Sequence, residues 1–164
     1  MKKVLRLLLC LSVLLLTACG FHLRGQNVLP FTSVYVQSAN EYAPFTQELK
    51  RALQANGVQL TEQAEQAQLT LRILSDGTEK QILSLSGGGR VREYQLRYRV
   101  SVRVFDAKNQ DWLPADEIAI RRDFSYDDAQ VLAKEQEETL LYQNMRSDAV
   151  QQVLRRLSHA KVQP

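Results

Sequence analysis

Arginine returns at positions 90, 92, 97 and 99 directly after the triple glycine Gly87-Gly88-Gly89, within the stretch LSLSGGGRVREYQLRYRV that runs from Leu83 to Val100. A guanidinium presents a planar fork of N–H donors that grips phosphate oxygens two at a time, so a glycine-arginine segment raises the question of an anionic ligand. The glycines do not form a nucleotide cradle, because phosphate loops sit between a strand and the start of a helix. Here the sequence on both sides reads as strand, and Gly87, Gly88 and Gly89 are expected to turn a hairpin. Arg90 and Arg92 then stand at its tip. Arg97, Arg99 and Arg103 share the polar face of the next strand, opposed between residues 84 and 105 only by Glu93. Such a face is either simply solvated or a phosphate grip, and the residues alone leave both readings open.

Other reactive chemistry is sparse. The histidines are His22 and His159, neither with a partner at metal-ligand spacing, and no nucleophile elbow, P-loop or zinc motif is present. Paired carboxylates do not reveal their distances in a sequence, which leaves a hydrolase as one alternative. The expectation is a protein that is not an enzyme and holds no metal.

The two cysteines point to a different chemistry. Met1-Lys2-Lys3 followed by the apolar run Val4 to Leu16 is a signal segment, shorter than the about 20 residues a spanning helix needs. It ends in Leu16-Thr17-Ala18-Cys19, which resembles a bacterial lipobox. That resemblance implies that the Cys19 thiol is alkylated with diacylglycerol, that the bond before it is cut, and that the new amino terminus is acylated. Three long chains at about 0.8 kcal/mol per buried methylene make such an anchor effectively permanent. No other cofactor is expected. Gly20 follows the cysteine, and by resemblance to enterobacterial sorting rules the absence of aspartate there favours the outer membrane.

Loss of residues 1–18 removes Lys2, Lys3 and Arg6, three of the 21 basic residues, and no acidic one, leaving 18 of each sign. A near-neutral chain does not carry the general field of a nucleic-acid binder, so any basic site must be local. Cys10 leaves with the signal and Cys19 is consumed by lipid, so no intrachain disulfide is expected. The sequence divides into a signal peptide at 1–18, a lipidated tether at 19–31, a single domain at 32–160 and a short tail at 161–164.

The elements that must position the arginines follow from periodicity. Val34 and Val36 alternate with polar neighbours as a short first strand. Phe45, Leu49, Ala52 and Leu53 fall at helical spacing between Pro44 and Asn56-Gly57. Leu69, Leu71 and Ile73 mark a second strand after a polar loop or single turn. Tyr94, Leu96, Tyr98, Val100, Val102 and Val104 occupy every even position of a third, the cleanest pattern in the chain. Ile118, Ile120, Phe124 and Tyr126 carry a fourth, with Arg122 interrupting its register. From about Asp127 to Ser158 there is no glycine or proline, and apolar residues from Ala129 and Leu132 to Leu157 recur at threes and fours as a long second helix. The expected fold class is α+β: a two-layer sandwich in the order β-α-β-β-β-α, with a four-stranded mixed or antiparallel sheet and both helices packed on one face.

The lipobox followed at once by CGFHLRG, the helix end ANGVQL, the strand opening REYQLRYRV, and AQVLAKEQEETLLYQNMRSDAVQQVLRRL occur in an order and spacing that resemble the LptE family of lipopolysaccharide-assembly lipoproteins. The resemblance implies a four-stranded, two-helix domain that sits as a plug in the lumen of the β-barrel protein LptD. It implies help in assembling that barrel and binding of lipopolysaccharide on its way to the outer leaflet. For lipid A phosphates the family uses basic residues near the tip between strands two and three and one early in the last helix. Lys134 in LAKEQ matches the helix residue. The glycine triplet stands where the loop residue would be, and Arg90 and Arg92 take its place. The short tail HAKVQP is a departure from longer relatives. Expected partners are therefore the LptD barrel, lipopolysaccharide and, through the lipid, the outer membrane on its periplasmic side, with no nucleic acid. Phe21, Tyr35 and Tyr126 are the aromatic positions expected to meet the barrel. A lipid-anchored periplasmic binder of peptidoglycan or another envelope polymer is the alternative.

Overall fold

The first strand in the chain, β1 (Ser33–Gln37), is short but lies inside the sheet, and its alternate residues Val34 and Val36 are buried. The structure is a computed structural model that describes residues 28–161; Cys19, the signal segment, the tether up to residue 27 and residues 162–164 lie outside the described residues. Helix α1 (Pro44–Ala55) follows, with Pro44 at its first turn and Phe45, Leu49 and Leu53 fully buried on one face. Each of these is worth about 1.5–3 kcal/mol of burial. Gly57, at φ +81°, takes the left-handed turn that a side chain would resist, and Val58 N–H closes back onto the Leu53 carbonyl at 3.1 Å.

A two-residue strand, β2 (Gln59–Leu60), runs parallel to β1 with Ser33 opposite Gln59 and Val34 opposite Leu60. It makes the sheet five-stranded where four strands were expected, because two residues are too few to show a period in sequence. The polar stretch after it contains one 3-10 turn, Ala64–Gln66.

Strand β3 (Leu69–Leu85) is much longer than its apolar start suggested. Its first four residues, Leu69 to Arg72, pair in parallel with β1, and its whole length pairs antiparallel with β4 (Val91–Asp106). A register shift between Ile73 and Ser75 leaves Leu74 bulged and half-exposed. Beyond the bulge, parity reverses: Asp76, Thr78, Lys80 and Ile82 oppose Val100, Tyr98, Leu96 and Tyr94 on the helix side. β5 (Asp111–Ser125) completes an antiparallel meander, giving the order β2-β1-β3-β4-β5.

The last helix, α2 (Val131–Ser158), begins after a 3-10 turn, Asp128–Gln130, whose Ala129 N–H is capped by Asp127 Oδ1 at 3.0 Å. At 1.5 Å per residue it runs ~42 Å. Its C-terminal half buries Met145, Ala149, Val150, Val153, Leu154 and Leu157 against the sheet. Its N-terminal half passes beyond the core, and Leu132 and Leu140 remain exposed there. Both helices and the inward residues of β1, β3, β4 and β5 form one apolar cluster. No described element covers the other face of the sheet, where Arg72, Arg97, Arg99, Arg103 and Arg121 lie. The result is the α+β two-layer sandwich, with helices on one side only.

Candidate functional site

At the far end of the β3–β4 hairpin the chain turns through Ser86 to Arg90. Ser86 N–H donates to the Arg90 carbonyl at 2.7 Å, Gly89 N–H donates to the Ser86 carbonyl at 2.9 Å, and Gly89 takes φ +77°. The glycines do form a hairpin tip. Behind it, Tyr126 N–H donates to the Arg92 carbonyl at 2.7 Å, which carries the chain leaving β5 across the hairpin. These segments border an open cleft of about 700 Å³ lined by Ser84, Ser86, Arg90, Val91, Arg92 and Glu93 from the hairpin and by Ser125, Tyr126, Asp127, Asp128 and Ala129 from the link to α2.

Arg90 and Arg92 are both exposed on this cleft. Neither guanidinium has an ion-pair or hydrogen-bond partner among the described residues. Nearby acids are partly occupied: Glu93 accepts from Ser84 Oγ at 2.6 Å, and Asp127 caps the turn before α2. Lys134 reaches the same region from the first turn of α2. Its ammonium donates to Ser125 Oγ at 3.3 Å and Glu137 Oε2 at 2.8 Å, and lies 5.6 Å from the Phe124 ring centre. With its side chain only 15% exposed, Lys134 is held behind Ser125 and already neutralised, unlike the two arginines.

The arginines of the open sheet face are largely committed. Arg103 pairs with Asp111 at 2.7 Å and stacks over Phe105, which Arg72 also approaches. Arg99 lies 3.7 Å from Glu79. Arg97 donates to Gln95 and stands directly opposite Arg121.

Sequence reasoning missed Lys80. Its ammonium sits 4.2 Å from the Tyr94 ring centre and 5.8 Å from those of Phe124 and Tyr126, with Glu138 of α2 at 2.5 Å. The three rings contact one another, with Tyr94 and Tyr126 edge to face at 5.2 Å. Tyr126 is thereby half-buried in this aromatic cluster, while Tyr35 lies on the open face of β1 and Phe21 lies outside the described residues. Among the described residues no group of acidic, histidine or cysteine side chains could hold a metal, and no helix is long and apolar enough to cross a membrane.

Residues 31–157, the whole of the sandwich up to the last turn of α2, match the family described as LptE, lipopolysaccharide-assembly. The chain belongs to the LptE family. An LPS-assembly lipoprotein LptE of Yersinia pestis is 32% identical over 158 residues, covering 94% of this chain and 75% of its own. The solution structure of an uncharacterized lipoprotein B from Nitrosomonas europaea is 41% identical with a TM-score of 0.73, over 85% of this chain and 90% of that one. The crystal structure of the rare lipoprotein B from Shewanella oneidensis is 30% identical with a TM-score of 0.70, over 78% of this chain and 95% of the other. Membership of the LptE family assigns the chain a role in lipopolysaccharide assembly rather than in any established enzyme family. Within this LptE-family fold, the hairpin tip and the foot of α2 are brought together by the long β3–β4 ladder, the element whose full length was not visible in sequence.

Proposed function

We propose that the protein is an outer-membrane lipoprotein, held by diacylglycerol and N-acyl chains on Cys19, that plugs the lumen of an LptD barrel, helps that barrel assemble, and binds lipopolysaccharide with Arg90, Arg92 and Lys134. The observation that carries the ligand part is the pair of uncommitted guanidinium groups, Arg90 and Arg92, on one cleft at the end of the hairpin. Two free forks at one mouth suit a ligand bearing more than one phosphate. Lys134 would join them by exchanging Glu137 for a phosphate oxygen. The uncovered polar sheet face supports the plug reading, since a surrounding barrel wall can supply the layer that this sandwich lacks.

Purification of the lipidated chain from detergent-solubilised outer membrane tests the plug: a large barrel protein in equal amount is expected, and its absence would sink that reading. For the ligand, Arg90→Asp with Lys134→Asp is expected to lower lipopolysaccharide binding with the thermal transition retained. Unchanged binding would remove these residues from the site.

A further inference from the structure

The open face of the sheet is polar through its middle. Leu96, Tyr98 and Val100 of β4 are buried toward the helices, so Gln95, Arg97 and Arg99 lie on the other side. Register sets Glu79 and Arg121 on either side of Arg97, Gly77 and Ala119 on either side of Arg99, and Gln81 and Asp123 on either side of Gln95. Nothing apolar larger than Ala119 stands on these rows, and a Cβ added at Gly77 would meet nothing within 4 Å. Acyl chains gain nothing by lying on such a surface, because it offers them no apolar area to bury. A hydrophilic partner can approach it closely.

One row of that surface is electrostatically incomplete. Arg97 and Arg121 face each other across the β4–β5 ladder, and like charges directly opposite are unfavourable. The acids beside them are turned elsewhere. Glu79 Oε1 accepts from Gln81 Nε2 at 2.8 Å, and Glu79 Oε2 lies 3.7 Å from Arg99. Asp123 Oδ1 accepts from Gln95 Nε2 at 3.0 Å, and Arg97 Nε donates to Gln95 at 3.0 Å instead of to either acid. Neither Arg97 nor Arg121 has an ion-pair partner among the described residues, whereas Arg99, Arg103 and, on the helix side, Arg122 each have one.

A carboxylate brought between Arg97 and Arg121 would replace a repulsive contact with two charge-assisted ones, and the guanidinium fork fits carboxylate oxygens two at a time. A lipid phosphate would satisfy the charge as well, but it arrives with acyl chains that these rows do not accommodate. The surface therefore favours an acidic side chain of a protein.

We propose that Arg97 and Arg121 together receive an aspartate or glutamate side chain from the inner wall of the surrounding barrel, which makes this row a docking point of the plug. The assignment rests on the plug reading and names the chemistry by which the open face is held. One chain in one barrel satisfies it, and the like-charge contact is relieved only when the chain is seated.

The full lipidated chain carrying Arg121→Lys, isolated with its barrel in detergent, tests the contact directly. A carbodiimide condenses an ammonium with a carboxylate that touches it, forming an amide while the reagent takes up the water. Mass spectrometry is expected to find position 121 joined to an aspartate or glutamate of the barrel. A link confined to acids of the same chain, such as Asp123, overturns the proposal. Arg97→Gln with Arg121→Gln gives a second reading: the thermal transition and lipopolysaccharide binding are expected to stay at the parent's level while recovery of the barrel falls about tenfold. Undiminished recovery overturns the docking point, and a lowered thermal transition does so too by making the pair structural. Loss of lipopolysaccharide binding with recovery intact would give the pair to a lipid phosphate instead. If the unaltered chain brings no barrel with it, the plug reading falls and this contact with it; a chain that brings its barrel regardless of both arginines refutes this proposal alone.

Discussion

The Tyr98 hydroxyl donates to Asp76 Oδ1 at 2.5 Å, tying the middle of β4 to the first helix-side position of β3 beyond its bulge. Burial pushes the Tyr98 phenol well above its ordinary value, and the hydrogen bond from the hydroxyl to the Asp76 carboxylate adds to the shift. The folded state therefore keeps the proton after an unfolded phenol, with a pKa of about 10, has released it. Stability from this group is intact below about pH 10 and falls as pH rises above it.

Tyr98→Phe is accordingly expected to cost about 1 kcal/mol at neutral pH, from the lost bond, and to show a shallower alkaline loss of stability than the parent. Denaturant titrations at about pH 8 and about pH 11 check both parts. A variant whose alkaline slope equals the parent's would mean that Tyr98 titrates normally in the fold.

Lys80 fastens the exposed end of α2 to the sheet through Glu138 and the rings of Tyr94, Phe124 and Tyr126. Lys80→Met keeps the stem and removes the charge. Discounted for partial exposure, the loss is expected to be about 1 kcal/mol, and it should appear as faster amide exchange between Val131 and Tyr142 with the C-terminal half of α2 unaffected. Uniformly faster exchange along the helix would contradict a local fastening.

Glu137→Gln releases Lys134 from its 2.8 Å partner while leaving the helix turn intact. If Lys134 serves the anionic site, the variant should bind lipopolysaccharide about two- to fivefold more tightly at low salt, with the gain shrinking as ionic strength rises. Surface-immobilised binding at two salt concentrations gives the answer, and weaker binding would assign Glu137 itself to the ligand.

At the hairpin tip Gly89 sits at φ +77° with open space around the position a Cβ would take, whereas Gly88 has Ser86 Oγ at an ordinary 4.0 Å. Gly89→Ala should lose about 1 kcal/mol through backbone strain, and Gly88→Ala should lose much less. Paired thermal melts distinguish them.

The core of the sheet was legible because β4 keeps a strict period of two: Leu96, Tyr98, Val100, Val102 and Val104 are all buried as the alternation required. The second half of β3 was not legible, since Ser75-Asp76-Gly77-Thr78-Glu79-Lys80-Gln81 is polar, contains glycine and has no intrinsic preference for a strand. It is extended because β4 offers it a complete ladder. The apolar positions at the start of α2 read as core, yet Leu132 and Leu140 face outward because the helix continues beyond the layer it packs on. At the candidate site, the exposed tip position of Arg90 and Arg92 could be read from the glycines that precede them, and the pairing of Lys134 with Glu137 is an i,i+3 spacing visible in the string. Lys80 was hidden, because the bulge at Leu74 that turns it toward the helix leaves no mark in residue type.

The placement of β1 has a mechanical consequence. This five-residue strand is the first element of the domain, yet it lies between β2 and β3 and is bonded on both edges. Its approach is pinned as well, with Thr32 N–H on the Gln68 side chain and the Thr32 carbonyl on Gln59 N–H. A pull arriving along the chain from the residue 28 side therefore cannot peel an outer strand. It must shear two parallel ladders at once, a geometry in which several bonds share the load and yield together, so tension on the N-terminal attachment is taken up by both neighbours of β1.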